Sequence, residues 1–97
     1  MKLIVIVKGN KLGVTEHFCD RVSVSGDIDM VFFINQSFER IIRPINANRT
    51  ITLLGKGLEL ITHSRDMVVL DGDIDTYLIR DGEYIPIVHP LTEKDFK

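Results

Sequence analysis

The sequence predicts an all-β protein, an antiparallel meander of about nine to ten short strands closed into a sandwich or a small barrel. No window longer than about ten residues keeps the 3.6-residue apolar period of a helix. Short β-branched and aromatic runs recur about every eight to twelve positions instead. Between them stand glycine, asparagine, aspartate and proline, the residues that chain reversals need.

Taken in order, the run LIVIV over 3–7 is a first strand, ended by Gly9-Asn10. Residues 12–14 and 17–18 flank an irregular connection into a strand over 21–24. Ser25-Gly26-Asp27 reads as a turn, because glycine accepts positive φ without steric cost and aspartate bonds its own backbone. A strand over 28–34 follows, and simple alternation puts Ile28, Met30, Phe32 and Ile34 on the core face. The other face begins with Asp27 and Asp29 but turns apolar at Val31 and Phe33, so its far end is either covered or adhesive.

Residues 35–40 fit one short helical turn, and 40–43 an edge strand stopped by Pro44. After the loop Asn46-Ala47-Asn48, runs over 50–54 and 58–62 form a hairpin around Gly55-Lys56-Gly57. Runs over 67–70 and 74–80 form another around Asp71-Gly72-Asp73. Asp81-Gly82 carries the hairpin signature of a type I′ turn, and a last strand over 84–88, containing Pro86, belongs at an edge.

Composition narrows the class. The chain of 97 residues reads as one β-rich domain over 1–90 with a polar tail, LTEKDFK, over 91–97. With 44% hydrophobic and 27% charged residues, it is a globular composition with enough core to fold without a staple. The lone Cys19 excludes an internal disulfide. The apolar run before Lys8 is shorter than a secretory or membrane-spanning segment, so the reading expects a cytoplasmic protein that does not enter a membrane. For the same reason Asn48-Arg49-Thr50 is a chance match to a glycosylation acceptor.

The net charge of −2 speaks against general nucleic-acid affinity, although Arg40, Arg43 and Arg49 near Phe33 and Phe38 resemble a stacking and phosphate surface. Charge is uneven along the chain. Within 36–65, Arg40, Arg43, Arg49, Lys56 and Arg65 outweigh Glu39 and Glu59 by +3. Within 66–83, Asp66, Asp71, Asp73, Asp75, Asp81 and Glu83 outweigh Arg80 by −5. Such asymmetry favours association with an oppositely charged surface, another copy included.

The tetrapeptide GDID occurs at 26–29 and again at 72–75. Asp71, Asp73 and Asp75 have the D-x-D-x-D spacing that opens a calcium loop. The glycine and glutamate such a loop needs later are replaced by Thr76 and Gly82, and the first copy has Ser25 in place of Asp71. The reading is therefore architectural: the glycines redirect the chain, Ile28 and Ile74 enter the core, and the aspartates discourage edge pairing. A duplicated hairpin is consistent with it. His17 and Cys19, with His63 or His89, make only a scattered metal set, and no nucleophile, base and oxyanion donor converge. Neither a metal nor a cofactor is expected, and no enzyme.

The stretch TITLLGKGLELITHSRDMVVLDGDIDTYLI resembles the YabP/YqfC family of small bacterial sporulation proteins, through Gly55, Leu58, Gly72 and Ile74. The resemblance covers 50–79 and implies a non-enzymatic, self-associating scaffold in spore formation. Independently of it, the residues point to a protein-association module, with a protein partner or a homo-oligomer. The expected contacts are Val31, Phe33, Phe38, Arg40, Arg43 and Arg49, met by Asp73 and Asp75. A small phage or mobile-element protein that binds a host target, or a metal- or ligand-binding β module built on the aspartate turns, are the alternatives.

Overall fold

The computed structural model describes residues 2–35, 38–42, 48–81 and 87–90, with the side chains of 38–42, 81 and 87–90 left aside. These residues form six strands: β1 (Lys2–Phe18), β2 (Arg21–Asn35), β3 (Phe38–Ile42), β4 (Asn48–His63), β5 (Met67–Asp81) and β6 (Ile87–Pro90). Every ladder is antiparallel and all belong to one sheet. The path β1-β2-β4-β5 returns from β5 to β1, so the four long strands close on themselves; β3 extends β2, and β6 extends β5. Full closure removes most of the open edge that a flat sheet would expose.

The all-β class holds, but the expected nine to ten strands are an overcount. Each long strand is bent where the sequence suggested a reversal. Ser25-Gly26-Asp27 and Asp71-Gly72-Asp73 lie inside β2 and β5, and Gly55-Lys56-Gly57 inside β4, so none of the three is a hairpin turn. The helical turn over 35–40 is also corrected: Asn35 ends β2 and residues 38–40 belong to β3. Of the expected Asp81-Gly82 turn, Asp81 ends β5 and Gly82 falls outside the described residues, as do residues 84–86 and the tail over 91–97.

GDID makes the bend, and it does so twice in the same way. Gly26 and Gly72 have φ of 144° and 151°, in the region where a Cβ is strained. In the β1–β2 ladder Lys8 faces Met30 and Gly9 faces Ile28, which leaves Asp29 as the extra residue of a β-bulge. In the β4–β5 ladder Leu54 faces Thr76 and Gly55 faces Ile74, which leaves Asp75 extra. Gly9 and Gly55 are required there, because a Cβ on either would run into the carbonyl of Asp27 or Asp73.

A bulge shifts alternation by one residue and so exchanges the faces beyond it. Ile28 points inward, but past Asp29 the inward residues are Val31 and Phe33, both 0% exposed. Met30, Phe32 and Ile34 lie on the outer face, only half-buried. This reverses the expectation for that end of the strand.

The interval of 46 residues separating the GDID copies relates the two halves throughout (9 to 55, 12 to 58, 22 to 68, 28 to 74). Hydrogen bonds outside the ladders obey it too: Gly9 and Leu12 donate to Asp66 and Arg65, while Gly55 and Leu58 donate to Asp20 and Cys19. The molecule is thus two copies of one β-hairpin, each completing the other's barrel. The shared core contains Val5, Val7, Val22 and Val24 of one copy against Ile51, Leu53, Val68 and Leu70 of the other. Each such side chain contributes about 1.5–3 kcal/mol by leaving water. At the seam the copies are complementary rather than identical: Val31 and Phe33 stand where the second copy has Tyr77 and Ile79. The two rings meet at 4.9 Å between centroids, tilted by 34°.

Candidate interaction site

Because the halves are equivalent, the barrel has two equivalent outer surfaces, and their chemistry differs. The first surface is built from the opening part of β1, the end of β2 and the opening part of β5. Register places Ile4 beside Ile34, and Ile6 beside both Phe32 and Val69. Met67 and Met30 flank Lys8, whose ammonium sits 5.6 Å from the centre of the Phe32 ring. Ile4 is 42% exposed, and Ile61 on β4 is 58% exposed. The run is apolar across three neighbouring strands.

The second surface is built from the end of β1, the opening parts of β2 and β4, and the end of β5. Where the first has Ile4, Ile6, Val69 and Ile34, it has Thr50, Thr52, Ser23 and Arg80. The hydroxyls form cross-strand pairs, Ser23 with Thr52 at 2.9 Å and Ser25 with Thr50 at 2.8 Å. A longer bond runs from the Thr15 hydroxyl to the Ser23 carbonyl at 3.5 Å. Small side chains leave the curved sheet hollow here, as a groove of about 530 Å³ with Leu54 and Leu78 among its walls. At one end Arg21 Nε meets Glu16 Oε2 at 3.0 Å; at the other stands exposed Arg80.

The residues expected to make contacts are scattered over this frame. Val31 and Phe33 are core residues, which corrects their expected exposure. Phe38 and Arg40 lie on β3, with side chains outside those described, and Arg43 lies outside the described residues. Arg49 is half-buried on β4, lining a smaller cavity of about 250 Å³ with Ser25, Asn48, Thr50 and Arg80. Asp75 is the exposed bulge residue of β5.

Asp73 faces Lys2 in one ladder and Lys56 in the other. Its carboxyl is held below the ordinary range, first by a hydrogen bond with the N-terminal ammonium and attraction to it, then by Lys56 and Lys2, with desolvation opposing. Asp71, Asp73 and Asp75 lie along one extended strand, where alternate residues are about 7 Å apart. Among the described residues no group of three or more His, Cys, Asp or Glu side chains is placed to hold a metal. His17 and Cys19 are exposed beside the β1–β2 turn.

Sequence reasoning missed Ile4, Ile6, Phe32, Ile34 and Val69 as surface residues. The available signal was the unbroken LIVIV run, which leaves no polar face on β1. The chain matches no family model, no curated protein and no solved structure.

Proposed function

We propose that this protein is a non-catalytic association module that pairs with a second copy of itself through the apolar surface of β1, β2 and β5. The observation that carries the reading is the inequality of the two equivalent surfaces. The same scaffold is completed on its other side with Thr50, Thr52, Ser23 and Arg80, so folding does not require Ile4, Ile6, Val69 and Ile34 to be apolar. Contiguous apolar surface beyond the needs of the fold marks a contact.

Covering the exposed two-fifths of Ile4 alone is worth about 1 kcal/mol, that share of a whole buried isoleucine. Charges at the borders favour self-pairing. Lys8 closes one end of the surface, and Asp71 lies beside Ile4 towards the other. Face-to-face two-fold pairing through this surface brings Lys8 of each copy towards Asp71 of the other, twice. The proposal agrees with the self-association that the YabP/YqfC resemblance implies.

Sedimentation equilibrium tests it. The expected mass is twice the 11.1 kDa of the chain, falling to 11.1 kDa in an Ile4→Asp, Phe32→Glu variant that keeps its β circular dichroism. A wild-type mass of 11.1 kDa at every concentration and salt refutes it.

A further inference from the structure

The hydroxyl-lined groove on the opposite surface is not used by that association and has a chemistry of its own. Its volume of about 530 Å³ falls within the range of small-ligand sites, about 300–1,000 Å³. The equivalent positions on the first surface carry Ile4, Ile6, Val69 and Phe32, so the opening goes with their exchange for Thr50, Thr52, Ser23 and the smaller Leu78.

We infer that this groove binds a small polyhydroxylated ligand bearing one oxyanion, of the sugar-phosphate or sugar-carboxylate kind. Each Ser–Thr pair spends one hydroxyl proton internally, leaving one O–H per pair to donate and lone pairs to accept. Ser23 is 2% exposed and Ser25 half-buried, so the serine of each pair is fixed in the floor of the groove and holds its threonine partner, Thr52 or Thr50, at the groove lining. Alternating donors and acceptors on a fixed floor suit vicinal hydroxyls. The Glu16–Arg21 pair is neutral as a unit and offers the same mixture, carboxylate lone pairs beside guanidinium N–H groups.

The anion is selected at the other end. Arg80 has no carboxylate within ion-pair distance among the described residues, and the adjoining cavity adds the Asn48 amide. A guanidinium fork binds phosphate or carboxylate in two parallel hydrogen bonds. Leu54 and Leu78 give the carbon skeleton an apolar wall.

The test is an amide NMR titration of the full chain with glucose 6-phosphate, glucuronate and glucose. Saturable shifts confined to Ser23, Ser25, Thr50, Thr52 and Arg80 are expected with at least one of the two anions, with Kd on the order of 1 mM or below. Uncharged glucose binds at least about tenfold more weakly, as does the anion to Arg80→Gln. The double variant Ser25→Ala, Thr50→Val removes both members of a hydroxyl pair and so leaves no unsatisfied partner; it also weakens binding, while Ile4→Asp leaves it unchanged. No saturable shift up to about 20 mM with either anion overturns the inference. So does glucose binding as tightly as its phosphate, or binding indifferent to Arg80→Gln in a folded variant.

Discussion

Phe32 and Phe33 are adjacent and chemically identical, yet the bulge at Asp29 gives them opposite fates. Phe33 is 0% exposed with its ring against Tyr77, whereas Phe32 lies half-buried on the outer surface under Lys8. Phe33→Ala therefore deletes a core ring and leaves a cavity, at a cost of about 3–5 kcal/mol. Phe32→Ala loses a partial burial and a cation–π contact, together about 1.5–2.5 kcal/mol. With about 4–8 °C of Tm per kcal/mol for a domain of this size, the first variant melts about 12–40 °C lower and the second about 6–20 °C lower, so the first loses about twice as much. Urea unfolding followed by circular dichroism measures both. Running it at two protein concentrations a hundredfold apart separates linked association from intrinsic stability. If Phe32→Ala were the more damaging at the lower concentration, the bulge would not exchange the faces and the derivation of the outer surface would fail.

Other consequences are equally measurable. Gly9→Ala and Gly55→Ala each push a methyl into a facing backbone carbonyl, and both should lose at least about 2 kcal/mol in urea unfolding, whereas Gly13→Ala, which meets nothing within 4 Å, should be within about 0.5 kcal/mol of wild type. Deleting Asp29 should be far more damaging than Asp29→Asn, because the deletion removes the extra residue that sets the faces and the substitution keeps it. Asp73 has its carboxyl pKa lowered on folding, so its contribution is present above the ordinary aspartate pKa and is lost as pH falls through the lowered value. Asp73→Asn should accordingly flatten part of the acid limb of a Tm against pH curve, and about 1 M salt should shrink the difference.

How much of this was legible in the sequence follows from what glycine can and cannot signal. The β class was readable, and so was the entry of Ile28 and Ile74 into the core, since period-two runs leave local marks. Strand length was not. Gly26 and Gly72 at positive φ suit a hairpin reversal and a bend within a strand equally well, and only the partner strand decides between them. The bulge residues Asp29 and Asp75 have no local signature either, since an unpaired residue is defined by two residues opposing one across a ladder. That single uncertainty placed Val31 and Phe33 outside and Phe32 and Ile34 inside. The groove was hidden for a related reason. Ser23 and Thr52, far apart in sequence, become a pair only when β2 and β4 align, and Arg80 joins them through β5.

Methyl NMR with a soluble paramagnetic probe tests the central claim most directly, because the two outer surfaces carry different methyl groups. As protein concentration rises, the δ1 methyls of Ile4 and Ile6 should become shielded from the probe, while the methyls of Leu54 and Leu78 in the groove stay as accessible as before. Shielding on the groove side instead, or Ile4 equally accessible at every concentration, would contradict association through the apolar surface.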